Sequence, residues 1–193
     1  MAAEYEFKFQ ATEELLGKIR QDLQGKEQVI QMKTTYFDTP DGKISSLRYT
    51  FRMRAENGVT VYTLKTPMPG NVRGEWEVVA DRMEDAVDSL CQKGAPTQLK
   101  ELVSGGIIPV CGAEFIRIAK TVILPDCVVE VAMDKGVLTG GNREIPMCEV
   151  EVELKSGTRE CTAAFARLLS QTYGLVPERK SKFSRAFALR RGE

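Results

Sequence analysis

Hydrophobic and ionic side chains alternate along most of this chain, so that one face of each alternating stretch is apolar and the other is charged. A period of two residues is typical of β-strands whose two faces lie in different surroundings. The pattern predicts strands over residues 5–9, 28–37, 49–55, 59–65, 75–80, 115–124, 128–133 and 148–155. We therefore expect a fold dominated by antiparallel sheet.

Fewer stretches repeat with the 3.6-residue period of a helix. Asn57-Gly58 is typical of a β-hairpin turn, and Ser181 is placed to begin a last helix. The other helices are predicted after Thr12, over residues 83–92 and 98–103, and from Thr158 to the stop signal Gly174. No linker or repeat interrupts the chain, so we predict one α+β domain over residues 1–193.

The direction of the ionic faces decides what kind of sheet this is. For a single strand, a charged face that meets water is the ordinary arrangement. Here the charges occur in like-signed runs, and Glu149, Glu151 and Glu153 would stand roughly 7 Å apart along one strand. The apolar faces offer the surface that the helices need to cover. We expect the ionic faces to line a closed or nearly closed barrel, whereas a lipocalin-type barrel would place apolar side chains inside.

The composition narrows the chemistry, because the 193 residues include no histidine. This excludes Ser-His-Asp and Cys-His catalysis and metal sites with imidazole ligands. A general base must be Asp, Glu, Lys, Tyr, Cys or a metal-bound water, and a metal would be a hard cation held by carboxylates. The 27 basic and 27 acidic residues balance, so no net field favours nucleic acid or an anionic membrane as a partner.

Five cysteines are scattered along the chain without a C-x-x-C pair. We expect them to be reduced and mostly buried. The first nine residues do not have the apolar run of a signal peptide, and no stretch has the length of a membrane span. These features predict a cytoplasmic protein, and they leave the choice between monomer and homodimer open.

The ionic faces supply both signs of charge. Arginine and lysine side chains match phosphate oxygens, and carboxylate clusters match Mg²⁺ or Mn²⁺, which bridge phosphates. A small polyanion, a phosphate chain with bound metal, is the ligand that uses both sets. The basic set is Lys8, Arg52, Arg54, Lys65, Arg73, Arg117, Lys180, Lys182 and Arg185. The acidic set is Glu4, Glu6, Glu75, Glu77, Glu130, Asp134, Glu149, Glu151 and Glu153.

A series of short motifs follows one order along the whole chain. The series is Glu4-Tyr-Glu6-Phe-Lys8, Tyr36-Phe37-Asp38-Thr39-Pro40, Phe51-Arg52-Met53-Arg54, Thr63-Leu64-Lys65-Thr66, Arg73-Gly74-Glu75-Trp76-Glu77, residues 130–136, residues 148–157 and Lys180-Ser181-Lys182-Phe183. In this order the motifs resemble those of the CYTH superfamily, the triphosphate tunnel metalloenzymes, and most of all its bacterial inorganic triphosphatases. Some of those proteins have a second, histidine-rich helical domain, and this chain resembles the single-domain form.

The resemblance implies an eight-stranded antiparallel tunnel with a charged interior and helices on its apolar outer faces. Such a tunnel would bind a linear triphosphate, most of all inorganic tripolyphosphate, and hydrolyse its terminal phosphoryl group to give pyrophosphate and phosphate. The implied metal ligands are Glu4, Glu6 and Glu153, with support from Glu149 and Glu151. Phosphate contacts with a catalytic role are implied for Lys8, Arg52, Arg54 and Lys65, and further contacts for Arg117 and Lys182.

Other residues have less specific expectations. The attacking water is expected to be activated by a second metal or by one of Glu75, Glu77, Glu130 and Asp134. Arg73, Lys155, Lys180 and Arg185 complete the expected phosphate-binding set, although Arg73 could instead pair with Glu75 or Glu77, and Lys155 could simply be solvated. Alternative functions on the same fold are a thiamine triphosphatase or a class IV adenylate cyclase, and an alternative of another class is a polyphosphate-binding module without catalysis.

Overall fold

The computed structural model describes residues 2–3, 5–68 and 73–192, and in these ranges it contains one antiparallel sheet of ten strands and six helices. The strands are β1 (Ala2–Ala3), β2 (Glu6–Gln10), β3 (Lys26–Asp38), β4 (Thr50–Glu56), β5 (Val59–Pro67), β6 (Arg73–Val79), β7 (Ile108–Ile123), β8 (Cys127–Gly140), β9 (Arg143–Gly157) and β10 (Val176–Pro177). The helices are α1 (Glu13–Asp22), α2 (Lys43–Ser46), α3 (Met83–Gln92), α4 (Gln98–Ser104), α5 (Arg159–Tyr173) and α6 (Lys182–Arg191).

The α+β class and the eight predicted strands are confirmed, because β2 to β9 are the eight strands of five or more residues in the described ranges. Local signals placed several ends correctly. Thr12, Thr158 and Ser181 each cap the N-terminus of a helix through the side-chain oxygen. Asn57 and Gly58 both have positive φ, 49° and 88°, which a tight hairpin turn between β4 and β5 requires.

The sheet curls so that its two ends approach the same N-terminal segment. Its strand order is β1-β6-β5-β4-β3-β7-β8-β9-β2-β10. Ala2 pairs with Glu75 of β6 at one end, while Glu6 pairs with Glu153 of β9 at the other. The sheet is therefore curled rather than closed by a direct ladder, since β1 and β2 pair with opposite ends of it.

Most helices cover the apolar outer side of this sheet. One cluster packs α1 and α5 on β2, β8 and β9 through residues such as Ile19, Leu169 and Val152. A second packs α2, α3 and α4 on β4, β5 and β6 around Phe51 and Leu90. Burial of these side chains places the charged faces on the inner side, as predicted. No helix in the described ranges combines the length and the apolar character needed to cross a bilayer.

Helix α6 is the exception, because it packs on the inner side of β7 and β8. Phe183 and Ala186 of this helix contact a cluster that includes Phe115, Leu138 and Met147. Phe115 shares its strand face with Arg117, two residues further on. This packing also explains why β7, β8 and β9 extend well beyond their predicted bounds. Where α6 covers the inner face, that face is apolar, while the outer face carries the exposed residues Glu114, Lys135 and Glu144, so the pattern of ionic inner and apolar outer faces is reversed.

The expectation that all five cysteines are reduced is wrong for two of them. Cys127 at the start of β8 and Cys161 in the first turn of α5 form a disulfide, with their Cα atoms 6.0 Å apart. Cys91, Cys111 and Cys148 are free thiols. The two bonded residues are 34 positions apart in sequence, and their pairing follows from the packing of α5 on β8, which cysteine spacing alone does not reveal.

Candidate functional site

The inner face of the curled sheet encloses two adjoining cavities. The first, about 160 Å³, we call the cation-rich cavity. Its lining includes Glu6, Lys8, Thr34, Tyr36, Thr50, Arg52, Arg54, Lys65, Arg73, Phe115, Arg117, Glu151, Glu153, Ser181, Lys182 and Phe183. The second, about 510 Å³, we call the outer cavity, and it shares Arg52, Arg54, Arg117 and Glu153 with the first. Its lining adds Glu56, Glu75, Glu77, Glu130 and Lys155.

The strands explain how so many cations reach one cavity. Arg52 and Arg54 lie two residues apart on β4 and therefore point to the same face. Lys65 on β5 is directly opposite Thr50 of β4, which shares that face. Arg117 on β7 and Lys8 on β2 approach from the other half of the curled sheet. Five cationic side chains from four strands thus surround one space.

Arg54 shows the electrostatic cost of this arrangement. Burial lowers its pKa, and repulsion from Arg52 lowers it further, although Glu56 and Glu77 act in the opposite direction. The Arg54–Glu77 ion pair spans 3.6 Å, and Arg54 Nε has no hydrogen-bond partner within the described residues. A buried guanidinium crowded by like charge binds an anion favourably, because the anion relieves both the repulsion and the missing hydrogen bond.

Carboxylates form a second feature of the site, which we call the carboxylate row: Glu6, Glu153 and Glu130. Glu153 of β9 is directly opposite both Glu6 of β2 and Glu130 of β8. Directly paired residues have Cβ atoms about 4.5–5.5 Å apart, and like charges in such pairs repel. Lys155 Nζ lies 2.9 Å from Glu153 and 3.6 Å from Glu130, and Lys8 Nζ lies 3.4 Å from Glu6.

This row offers the kind of donor that a hard divalent cation prefers. Its oxygen donors are the ligands that Mg²⁺ and Mn²⁺ prefer, and a cation between them would remove the repulsion across the three strands. The side chains of Glu6, Glu130 and Glu153 are 23%, 25% and 30% exposed, so solvent and ions reach them. Glu4, the remaining predicted ligand, lies outside the described residues.

A third feature is a group of six buried ionic side chains, the ion network: Asp134, Glu149, Glu151, Arg117, Lys182 and Arg185. Arg117 donates to both oxygens of Asp134, at 2.8 and 2.7 Å, and also to Glu151. Arg185 donates to Glu149. Asp134, Glu149 and Glu151 each place an oxygen within 4.8 Å of the others, an arrangement that could hold a metal ion.

The ion network shifts the pKa of its members. Burial opposes ionisation of Glu151, but the ammonium of Lys182 and the guanidinium of Arg117 outweigh it and hold the pKa of this carboxyl well below its usual range. For Glu149, burial dominates and raises the pKa, despite the opposing effects of Lys182 and Arg185. Burial lowers the pKa of Lys182, but Glu151, Asp134 and Glu149 raise it above its ordinary value.

The structure brings most of the predicted site residues together. Glu6, Lys8, Arg52, Arg54, Lys65, Arg73, Arg117, Glu151, Glu153 and Lys182 line the cation-rich cavity, and Glu75, Glu77, Glu130 and Lys155 line the outer cavity. Arg73 donates to the carbonyl of Arg48 and to Thr50, at 3.2 Å each. Lys155 pairs with Glu153 and Glu130 rather than being solvated alone.

Four predicted residues lie elsewhere. Asp134 and Glu149 have fully buried side chains; they belong to the ion network and line neither cavity. Arg185 pairs with Glu149 and, at 3.6 Å, with Glu178. Lys180 is exposed, and its backbone N–H donates to Glu178. Their predicted roles in hydrolysis stay predictions, but three of the four are occupied by ion pairs inside the protein.

Sequence reasoning missed several polar and aromatic residues of the cation-rich cavity. Thr34 and Tyr36 of β3 are directly opposite Arg54 and Arg52, and Thr50 is opposite Lys65. The signal was present in the strand register, since residues opposite an inward-pointing arginine also point inward. Their hydroxyl groups add hydrogen-bond donors beside the cations.

Comparisons with known proteins show which proteins this chain resembles. An inorganic triphosphatase of Haemophilus influenzae is 27% identical over 166 residues, which are 85% of this chain and 47% of that protein. The chain thus spans about half the length of this curated relative. Two solved structures share the fold over nearly the whole chain.

The first is the PH1819 protein of Pyrococcus horikoshii OT3, with a TM-score of 0.67, 19% identity, and coverage of 97% of this chain and 99% of that one. The second is HpAC1 of Hippeastrum, for which a dominant triphosphatase activity is described. Its TM-score is 0.64, with 18% identity and coverage of 100% of this chain and 96% of that one. The model of the CYTH domain matches residues 2–187, so the resemblance seen in the motifs is confirmed and the chain belongs to the CYTH family.

Proposed function

We propose that this protein hydrolyses the terminal phosphoryl group of a linear triphosphate, with inorganic tripolyphosphate as the substrate and Mg²⁺ or Mn²⁺ as the cofactor. The observation that supports it best is that the cations Lys8, Arg52, Arg54, Lys65 and Arg117 and the carboxylate row line two adjoining cavities, which share Arg52, Arg54, Arg117 and Glu153. Anion binding alone needs only the cations, whereas a metal–triphosphate complex uses both sets.

The cations would bind and orient the phosphate chain. Arg52 and Arg54 lie on β4, and Arg117 lies across the cavity on β7, so phosphate oxygens can be held from two sides. Paired N–H groups of a guanidinium match two oxygens of a phosphate. Fixing the chain between these groups aligns it for in-line attack, and positioning with charge neutralisation accounts for most of the catalysis of phosphoryl transfer.

The carboxylates would hold the metal and prepare the water. Glu6 and Glu153, with Glu130 beside them, are the side chains we assign to the metal, which supplies charge neutralisation at the phosphate oxygens when bound. Of the four candidates for water activation, Glu77 and Glu130 have 46% and 25% exposed side chains. Asp134 is fully buried against Arg117, and Glu75 pairs with Arg52 and Lys65. Because Glu130 is assigned to the metal, we assign water activation to Glu77.

The experiment that tests this proposal is a comparison of substrates with Mg²⁺ and with Mn²⁺. We expect phosphate release from tripolyphosphate to exceed release from thiamine triphosphate and from ATP, and to stop when the metal is chelated. Faster turnover of thiamine triphosphate, or cyclic AMP formed from ATP, would assign one of the alternative activities. Release at background level from all three substrates would favour a polyphosphate-binding module.

A further inference from the structure

The ammonium group of Lys182 occupies the place that a metal ion would take among three carboxylates. Its Nζ atom lies 2.9 Å from Asp134, 2.6 Å from Glu149 and 2.8 Å from Glu151. These are the same three residues whose oxygens lie within 4.8 Å of one another. The contacts to Asp134 and Glu151 are longer than the roughly 2.0–2.6 Å bonds of Mg²⁺ or Ca²⁺, and the contact to Glu151 is a charge-assisted hydrogen bond.

The charges around Lys182 are balanced within the ion network. The three carboxylates meet three cations: Lys182, Arg117 and Arg185. The side chains of Asp134, Glu149 and Glu151 are 0%, 0% and 12% exposed, and that of Lys182 is 10% exposed. A divalent ion that replaced the ammonium would leave the charge of Lys182 without its partners. An unpaired buried ammonium is costly away from water.

Lys182 also connects the network to the fold. It is the first residue of α6, the helix that packs on the inner side of β7 and β8, and its ammonium lies 5.3 Å from the ring centroid of Phe115. The network therefore anchors the start of α6 to β7, β8 and β9. It also fixes Arg117, which donates to Asp134 and Glu151 while lining the cation-rich cavity.

We propose that Lys182 is the resident cation of the Asp134–Glu149–Glu151 cluster in the triphosphate-free protein. It acts as a positioning residue that holds α6 and Arg117, and it keeps divalent metal out of this cluster. Removing its charge therefore turns the cluster into a divalent-cation site. The inference concerns the protein without substrate and does not depend on which triphosphate is hydrolysed.

The direct test is a Mn²⁺ titration without triphosphate. The electron paramagnetic resonance signal of free Mn²⁺ measures how many ions the protein binds. The variant is Lys182→Met, which keeps the length of the side chain and removes the charge. Lys18→Met is the matched control, because Lys18 is an exposed residue of α1. We expect K182M to bind one more Mn²⁺ than the wild-type protein and K18M to bind the same number. Equal binding by folded K182M would overturn the inference.

A second pair of variants keeps the test decisive if K182M does not fold. In Glu149→Gln, Lys182 is still present, so we expect the Mn²⁺ dissociation constant to stay within about twofold of wild type. In Glu153→Gln, it should rise at least about tenfold, as is usual when the surroundings of a metal are damaged. A comparable rise in E149Q would contradict our inference. No rise in E153Q would instead contradict the metal ligands assigned under the proposed function.

Discussion

At the scale of single residues, the site depends on side chains whose charge is costly to bury. Arg54 illustrates this balance, since burial and Arg52 both lower its pKa while Glu56 and Glu77 raise it. Such a residue stabilises an anion strongly because the anion supplies the opposite charge that the protein provides only in part. Glu151 is the opposite case, because Lys182 and Arg117 of the protein itself compensate its buried charge.

The first prediction concerns Arg54. Replacing it with alanine should weaken triphosphate binding by roughly 10- to 100-fold, since a charge-assisted hydrogen bond contributes about 1.5–3 kcal/mol. Isothermal titration calorimetry with tripolyphosphate in the presence of Ca²⁺ would measure the change. Arg82→Ala is the control, because Arg82 pairs with Glu84 on the surface with 72% of its side chain exposed. Equal affinity of R54A and R82A would contradict the assigned role.

The second prediction concerns the pH dependence of stability at Glu151. Its pKa is held below the usual range, so its ionised form stabilises the folded state above the unfolded pKa of about 4.3. This contribution is lost as the pH falls through the lower, folded pKa. We expect Glu151→Gln to lower the free energy of unfolding by about 3 kcal/mol at pH 7, with the difference shrinking below pH of about 4. Urea unfolding of both proteins between pH 7 and pH 3 measures this difference in free energy. A difference that does not change with pH would contradict the prediction.

At the scale of elements, α6 and the hairpins of β7, β8 and β9 shape the inner side of the sheet. The alternation of the sequence predicted the ionic halves of these strands but not the halves that α6 covers. The reason is physical: Leu138 and Met147 face α6, while Lys135 and Glu144 on the opposite face are exposed, so the polarity of the two faces is the reverse of that in the ionic halves. Helix α2 was missed because it has only four residues, and its backbone N–H groups of Ile44 and Ser45 donate to the preceding Asp38 side chain.

Gly140 tests the packing of α6, in the third prediction. A Cβ atom at this position would lie 2.1 Å from the carbonyl oxygen of Ala186 in α6. We expect Gly140→Ala to displace α6, lower the melting temperature and weaken triphosphate binding, because Lys182 and Phe183 move with the helix. Gly17→Ala in α1 is the control: a Cβ there meets nothing within 4 Å, so it should leave stability unchanged or raise it by up to about 1 kcal/mol. Differential scanning calorimetry measures the two melting temperatures, and equal melting temperatures of G140A and G17A would contradict the prediction.

The disulfide between β8 and α5 gives a fourth prediction. It closes a segment of 34 residues, and we expect Cys161→Ser to lower the free energy of unfolding by about 2–4 kcal/mol. The bond lies in the outer cluster around α1 and α5, away from both cavities, so the rate of phosphate release should be unchanged. Urea unfolding with and without a reductant measures the effect. The reductant should destabilise the wild-type protein but not C161S. An equal loss of stability in C161S would contradict the assigned role of the disulfide.

At the scale of the whole molecule, the decisive property is the direction of the ionic faces. The order of motifs and the alternation predicted an inward direction, and Arg52, Lys65 and Glu153 are found lining the inner cavities. The sequence alone did not distinguish the exposed carboxylate row from the buried ion network, because Glu149, Glu151 and Glu153 form one alternating run. Their neighbours on other strands divide them: Glu153 faces Glu6 and Glu130, whereas Glu149 contacts Lys182 and Arg185.

The most direct test of the account is metal-dependent phosphate release from tripolyphosphate by the wild-type protein and by Glu153→Gln. Glu160→Gln is the matched control, since Glu160 is an exposed residue of α5. The account predicts release by the wild-type protein and E160Q with Mg²⁺ or Mn²⁺, and a loss of at least about a hundredfold in E153Q. Full activity of E153Q, or no release by the wild-type protein with either metal, would contradict it.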